Sequence, residues 1–141
     1  MNTEDLKKAL DTYPRPFIQI QGEANFYEGW KLSIQGKTVE DCCFLIDNLI
    51  GLLSQTKATF KCGTQKLIDA KHSQQSTKLL TIYIPNNVDP KSFSELVKLN
   101  ILKYKGAEGV NPPESYTTYS QELGIYYRND RDTYGEYIPA N

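Results

Sequence analysis

The chain has 141 residues, and its 16 lysines and arginines almost balance its 17 acidic residues, leaving a formal net charge of −1. This length fits one domain with a real hydrophobic core. The balanced charge excludes a whole-molecule field that would attract nucleic acid or an anionic membrane surface. We therefore predict neither nucleic acid nor membrane as a partner, so any basic site must be local. The oligomeric state stays open.

The cysteines and the apolar stretches indicate where in the cell the protein is located. The three cysteines, Cys42, Cys43 and Cys62, include an adjacent pair and no CxxC spacing, which argues against a disulfide framework and against a zinc site. No apolar stretch approaches the roughly 20 residues of a membrane span, and the N-terminus lacks the apolar core of a signal peptide. We predict a cytoplasmic protein without metal or cofactor, although an effector secreted without a cleaved signal would have the same features.

The first elements are a short helix and a strand. The helix is predicted from Glu4 to about Tyr13, with Asn2 or Thr3 as its cap. Two prolines end it, and Phe17–Gln21 follows as the first predicted strand.

The next helix has the clearest signature in the chain. Thr38 caps it, Asp41 stands three residues on in a capping-box position, and the apolar period runs to about Gln55. Cys42 and Cys43 belong to the apolar face. Because free cysteine is so often buried, this position favours small core residues over reactive thiols.

The second half of the chain mixes loops with another helix. The polar stretch Asp69–Ser76 is predicted as a mobile loop. A helix is predicted to start at Asp89, with Pro90 at its first position. Gly106–Gln121 contains two prolines and no clear period, so it is predicted as a loop of a length typical of functional loops.

Four apolar runs predict strands that each carry a cation. They are Gly29–Ser33, Ala58–Cys62, Thr77–Ile84 and Gly124–Asp130. Successive strand residues point to opposite faces, so each strand separates polar from apolar side chains. If the strands are neighbours, one cleft is faced by the side chains opposite the apolar positions: Lys31, Ser33, Thr59, Lys61 and Arg128.

These elements together predict an α+β fold, a single compact domain with a mixed, mostly antiparallel sheet and two or three helices packed on it. We predict one domain over residues 1–141. Its N-terminal helix and lead-in segment cover residues 1–16, its core covers 17–130, and residues 131–141 form a polar tail.

The cations indicate an anion site. A buried lysine or arginine on a strand face needs an anion to meet it, so the pattern favours a phosphate or carboxylate pocket. Arg128 could hold a phosphate through a bidentate fork, and an ion pair with Asp130 or Asp132 is its alternative role. A lysine desolvated among other cations has a lowered pKa and can act as a base near neutral pH. For Lys31 and Lys61, a solvated face is the alternative to a pocket.

The runs GWKLS, TFKC, LLTIYIP and YYRND resemble, in order and approximate spacing, the lyase domain of class III and class IV lanthipeptide synthetases. They also resemble the related phosphothreonine lyases that bacteria use as effectors. The similarity covers roughly residues 28–130. It implies a β-elimination that removes the α-proton of a phosphorylated serine or threonine and expels phosphate without a metal.

The resemblance also implies roles for single residues. By position, Lys61 would be the base, and Lys31 and Arg128 would hold phosphate and stabilise the leaving dianion. The family has Lys-x-His where this chain has Lys31-Leu32-Ser33, and that histidine protonates the leaving group. Ser33 is a poor acid, and general acid catalysis commonly contributes roughly 100- to 10,000-fold. The departure therefore predicts a replacement acid or a binder with little turnover.

Further residues complete the predicted ligand-binding set. Thr59 belongs to the same cleft as the catalytic candidates. Lys71 and Lys78 would contact phosphate, because a cation in the corresponding loop does so in the family. His72 would swing in as a substitute acid. Surface lysines and a solvated histidine are the alternatives for these three residues.

Tyrosines crowd the C-terminal quarter, at Tyr116, Tyr119, Tyr126, Tyr127, Tyr134 and Tyr137. Tyrosines with scattered arginines can form a stacking surface for bases or peptides. Acidic residues of the same segment offset Arg128 and Arg131, which disfavours a nucleic-acid footprint. A groove for a substrate peptide or ordinary partial burial is the prediction that remains.

Three functions stay open. The first is a phosphoserine/phosphothreonine lyase-like enzyme that eliminates phosphate from a phosphorylated peptide. The second is a catalytically impaired relative that binds or sequesters an anionic or phosphorylated ligand, as an inhibitor or anti-defence protein does; Ser33 separates these two. The third is a protein-binding module of the inhibitor or immunity type whose lysines are surface charge. Partner binding that ignores changes at Lys31 or Lys61 would mark it.

Overall fold

The computed structural model describes residues 2–22, 29–70 and 76–129. Within these ranges the chain forms four helices and six strands. In chain order they are α1 (Thr3–Thr12), β1 (Phe17–Ile20), β2 (Trp30–Gln35), α2 (Val39–Thr56), β3 (Thr59–Gly63), α3 (Gln65–Asp69), β4 (Lys78–Tyr83), α4 (Pro90–Asn100), β5 (Thr117–Ser120) and β6 (Ile125–Asn129). The predicted α+β class is confirmed. The short helix α3 was not predicted.

Helix α2 begins at the capping box that its sequence predicts. Thr38 Oγ1 accepts a hydrogen bond from the Asp41 N–H at 3.1 Å, and the Asp41 carboxylate accepts one from the Thr38 N–H at 3.0 Å. At the other end, Lys57 adopts a left-handed backbone with φ 57° and its N–H bonds back to the last turn. These bonds satisfy backbone groups that a helix leaves open at its ends.

The sheet is antiparallel at every described strand pair, in the order β1-β3-β4-β2-β6-β5. Strands β2 and β3 both pair with β4, so they run in the same direction with β4 between them. Helix α2 connects β2 to β3 and packs against β3 and β4. Strand β2, which carries Lys31 and Ser33, therefore lies near the centre of the sheet between β4 and β6.

One face of the sheet is apolar and packs under the helices; we call it the apolar face. Its two central ladder rows consist of Phe60, Ile82, Leu32 and Tyr127, and of Cys62, Leu80, Ile34 and Ile125. Helix α2 buries a matching set of side chains against the sheet and its neighbouring helices: Val39, Cys42, Cys43, Leu45, Ile46, Leu49 and Leu53. This apolar burial is the main source of folding free energy in such a domain.

The stretch between α4 and β5 is tied to the end of β2. The Tyr104 hydroxyl donates a hydrogen bond to the Gln35 carbonyl at 2.6 Å, and Gln35 Nε2 donates to the Asn111 carbonyl at 2.8 Å. The sequence predicted a loop throughout Gly106–Gln121. That prediction is wrong at Thr117–Ser120, which pairs with β6 as the edge strand β5.

Other predictions fall partly or wholly beyond the described ranges. The predicted loop at 69–76 begins inside α3, and its residues 71–75 lie outside the described residues, as does the predicted tail at 131–141. In the part of the chain that the structure describes, no helix has the length and apolar character needed to cross a membrane.

Candidate functional site

The second face of the sheet carries two polar ladder rows; we call it the polar face. One row consists of Lys61, Thr81, Ser33 and Tyr126, and the other of Thr59, Tyr83, Lys31 and Arg128. Residues directly opposite each other in an antiparallel pair share a face, with Cβ atoms about 4.5–5.5 Å apart. The five side chains that the sequence assigned to one cleft thus lie on one face of the sheet, on strands β2, β3 and β6. This placement alone does not assign a role to any of them.

The cations of the polar face are largely removed from water. The exposed fraction is 9% for Lys31, 7% for Arg128 and 3% for Lys78, and Lys61 is half-buried. A solvated surface, the alternative for Lys31 and Lys78, does not fit these values. Asp130 and Asp132, the alternative ion-pair partners of Arg128, lie outside the described residues. Burying several cations is costly unless anionic or polar groups meet them.

Tyr116 lies over two of these cations. The Lys78 Nζ atom is 4.5 Å from the centroid of the Tyr116 ring, and the Lys31 Nζ atom is 5.7 Å from it. Lys78 stands opposite Gln35 at a register shift between β2 and β4, so it lies at the end of the polar face rather than in the loop. Both contacts are of the cation–π kind, and they bring two ammonium groups to one aromatic ring.

Lys61 and Thr59 also have specific neighbours. The Lys61 Nζ atom is 4.3 Å from the centroid of the Phe17 ring, so an apolar ring from β1 adjoins the ammonium group. Thr59 Oγ1 accepts a hydrogen bond from the Gly22 N–H at 2.8 Å. This bond fixes the end of the segment after β1, so Thr59 has a structural role besides the predicted ligand contact.

Two polar atoms of the central strand point to a place for a ligand. Ser33 Oγ and Gln35 Oε1 are both buried, and neither has a hydrogen-bond partner among the described residues. Buried polar side-chain atoms in folded proteins nearly always have partners. A bound polar group or water on the polar face would satisfy them.

Sequence reasoning and structure differ at several positions. Lys71 and His72 lie outside the described residues, so their predicted roles stay predictions. Thr81, Tyr83 and Tyr126 were not predicted as site residues, although all three share the polar rows. The signal was present, because Tyr126 is two residues from Arg128 in one strand and must share its face.

The cysteines belong to the core, as predicted. All three are buried and free. Contact with the Cys62 thiol and burial raise the pKa of Cys42, and burial raises the pKa of Cys43 to about 11. Thiols with raised pKa values stay protonated and are weak nucleophiles.

Within the described ranges, no group of three or more His, Cys, Asp or Glu side chains is arranged to hold a metal ion.

A cavity of about 640 Å³ lies elsewhere, between the start of α4 and strands β2, β5 and β6. Its lining includes Trp30, Tyr119 and Tyr127, and the rings of Trp30 and Tyr127 are 5.8 Å apart. The Tyr119 hydroxyl donates a hydrogen bond to the Glu95 carboxylate at the same place. Trp30 and Tyr127 belong to the apolar side of their strands, so this cavity adjoins the apolar face. Thr118, which also lines it, is directly opposite Tyr126 of the polar face.

The fold is similar to that of solved phosphothreonine lyases from bacteria. The structure is similar to the type III effector and phosphothreonine lyase OspF from Shigella flexneri, with a TM-score of 0.64 and 17% identity over 92% of this chain and 76% of that one. It is also similar to the phosphothreonine lyase effector VirA (SpvC) of Chromobacterium violaceum, with a TM-score of 0.59 and 19% identity over 83% and 62% of the two chains.

A third similar structure is that of the phosphothreonine lyase SpvC from Salmonella, with a TM-score of 0.57 and 18% identity over 82% of this chain and 64% of that one. The chain spans less than two thirds of the length of the last two proteins. No protein-family model and no curated protein sequence matches the chain. At these identities the likeness establishes the fold alone, and it lends no support to the lanthipeptide synthetase part of the sequence resemblance.

Proposed function

We propose that the protein is a phosphothreonine or phosphoserine lyase that releases phosphate from a phosphorylated peptide or protein by β-elimination. The observation that carries the proposal is the set of buried and half-buried cations on the polar face of the sheet. The shared fold of solved phosphothreonine lyases supports it independently.

In this proposal the ladder row that contains Lys31 and Arg128 binds the phosphate group. These two residues are directly opposite each other in the β2–β6 ladder, so an ammonium group and a guanidinium group flank one position on the polar face. A guanidinium fork binds two phosphate oxygens at once, and an ammonium adds a point charge. Lys78, near the same Tyr116 ring as Lys31, supplies a third cation for the dianion.

In this proposal Lys61 is the base that abstracts the α-proton. It occupies the other row, two strands from Ser33 in the sheet order. Only the neutral form of the Lys61 amine can take the α-proton. The electron pair of the broken Cα–H bond then forms the Cα=Cβ double bond, and the Cβ–O bond to phosphate breaks.

A second candidate function rests on Ser33. Its hydroxyl is neutral and fully buried at the centre of the polar face, and a serine hydroxyl is too weak an acid to protonate a leaving group near neutral pH. Without another acid, the same cations would make a phosphopeptide-binding protein with little turnover. Such a protein would sequester its ligand instead of converting it.

Mass spectrometry of phosphothreonine and phosphoserine peptides incubated with the protein separates these functions. Loss of one phosphoric acid, leaving a dehydro residue, is the result that the lyase proposal predicts. Loss of the phosphoryl group with the hydroxyl retained would mean hydrolysis and would overturn it. Binding without a mass change, measured on the same samples by calorimetry, would instead establish the binding protein.

A further inference from the structure

One ladder row of the polar face has long side chains at its ends and short ones in its middle. Lys61 and Tyr126 are the ends, and Thr81 and Ser33 lie between them. The row crosses four strands, so the backbones of its ends are about 14 Å apart at the usual strand spacing. An ammonium group and a phenol can therefore approach a bound residue from opposite sides, over a floor of two hydroxyls.

Tyr126 occupies a dry position in this row. It is 1% exposed, and it lies directly opposite Ser33 in the β2–β6 ladder, on the same side of its strand as Arg128. Burial raises the pKa of its phenol, so the hydroxyl carries its proton throughout the neutral range. A phenol is nevertheless a far stronger acid than the serine or threonine hydroxyls beside it.

We propose that Tyr126 is the general acid of the elimination, donating its hydroxyl proton to the bridging oxygen as phosphate leaves. The inference rests on the proposed lyase function. Lys61 takes the α-proton, the Cβ–O bond breaks with its electron pair on the oxygen, and the Tyr126 proton neutralises that oxygen. Phosphate departs as hydrogen phosphate instead of the trianion. Proton return from the Lys61 ammonium, directly or through water, restores the phenol.

The neighbouring groups explain why the acid is one strand away from β2. Ser33 and Thr81 are too weakly acidic to serve, and Lys31 and Arg128 stabilise the phosphate charge by electrostatics. Ser33 has a small side chain, and the residue directly opposite it on β6 is Tyr126, the longer of the two. In this account Ser33 does not donate the proton, and its small side chain leaves that role to Tyr126.

The test compares Tyr126→Phe with Tyr127→Phe on two substrates. Tyr127 is the adjacent residue and lies on the apolar side of the same strand, which makes it a matched control. The first substrate is a phosphothreonine peptide, and the second carries β-chloroalanine at the same position, because chloride leaves without a proton. At saturating peptide, Tyr126→Phe should slow phosphate elimination by roughly 100- to 10,000-fold and leave chloride elimination unchanged. Tyr127→Phe should change neither rate.

The remaining outcomes overturn the assignment in distinguishable ways. If the wild-type protein eliminates phosphate and Tyr126→Phe does so equally fast, the lyase function stands and Tyr126 is not the acid. If Tyr126→Phe slows both substrates equally, the phenol acts in binding or folding, and the assignment is also wrong. If the wild-type protein eliminates phosphate from no peptide, the proposed function fails, and the acid assignment fails with it.

A second variant covers the case in which Tyr126→Phe does not fold. Fluorotyrosine incorporated at position 126 keeps the ring and the hydroxyl but makes the phenol more acidic. The phosphate elimination rate should then change with the acidity of the phenol across a series of fluorinated rings. A rate that stays constant across the series would contradict proton donation by Tyr126.

Discussion

The two faces of the sheet are made from the same strands and have opposite chemistry. On the apolar face, Leu32 and Ile34 pack under the helices, and on the polar face Lys31 and Ser33 alternate with them. An antiparallel sheet with such alternation usually turns its polar side to water. Here the polar side is largely buried as well. The alternation therefore separates a core from a site, instead of a core from solvent.

This difference has an energetic meaning. Apolar burial under α2 stabilises the fold, whereas burial of cations on the polar face costs free energy unless partners compensate it. Changes on the two faces should therefore have separable consequences, one on folding and the other on chemistry.

The largest expected effect is that of Lys61→Met. The substitution removes the amine but keeps an unbranched side chain of similar volume, so packing is largely retained. Turnover of a phosphothreonine peptide should fall by roughly 100- to 10,000-fold, with the free energy of unfolding within about 1 kcal/mol of the wild type. Lys66→Met, at an exposed position of α3, is the control and should change neither quantity. A folded Lys61→Met protein with full activity would exclude Lys61 as the base.

The apolar face should respond in the opposite way. Leu49→Ala removes a fully buried side chain of α2, and comparable truncations cost about 2–5 kcal/mol of stability. Urea unfolding followed by circular dichroism measures this loss. Ile50→Ala, next to it but 44% exposed, should cost well under half as much. The folded Leu49→Ala protein should keep its phosphopeptide affinity, and lost affinity in a folded sample would mean that the two faces are coupled.

A smaller effect is expected from Arg128→Lys. Lysine keeps the positive charge but loses the bidentate fork, so phosphopeptide affinity should fall by about tenfold, which corresponds to ~1.4 kcal/mol. Isothermal titration calorimetry measures the change. Arg15→Lys, at an exposed position before β1, serves as the matched control. Equal affinities for Arg128→Lys and the wild type would show that the guanidinium makes no two-point contact with phosphate.

The smallest effect concerns alkaline pH and the apolar face. The pKa of Cys43 is raised from 9.0 to about 11 by burial, so the unfolded chain loses this proton first. Between these pH values the unfolded state binds fewer protons than the folded state, and stability must fall as pH rises. Cys43→Ala should make the fall between pH 9 and 11 less steep in urea unfolding. An unchanged slope would mean that the thiol is not protected from ionisation.

Local signals in the sequence predicted much of the fold. The Thr38–Asp41 capping box and the helical apolar period located α2, and strand alternation sorted Lys31 and Ser33 from Leu32. Alternation alone cannot give strand order, because β2 and β3 become neighbours of β4 only through the α2 crossover. The short strand β5 has no apolar run, and it forms because it pairs with β6.

The candidate site was predictable to a similar extent. The side-chain parity of each strand identified five of the residues on the polar face. The burial of the Lys78 side chain was not predictable from the sequence. It depends on a register shift beside Gln35 and on contact with Tyr116, which comes from a distant segment. Tyr126 was seen only as one of many tyrosines, since its pairing with Ser33 is a property of the folded sheet.

The most direct test of the account is nuclear magnetic resonance of protein labelled with ¹³C at its tyrosine rings. A phosphothreonine peptide is added to the Lys61→Met variant, so that the ligand is not consumed. Single Tyr→Phe variants assign the ring signals. The account predicts shifts at Tyr126 and Tyr83, on the polar face, and none at Tyr119 or Tyr127, which line the cavity beside α4. Shifts confined to Tyr119 and Tyr127 would place the phosphopeptide on the other side of the sheet and contradict the account.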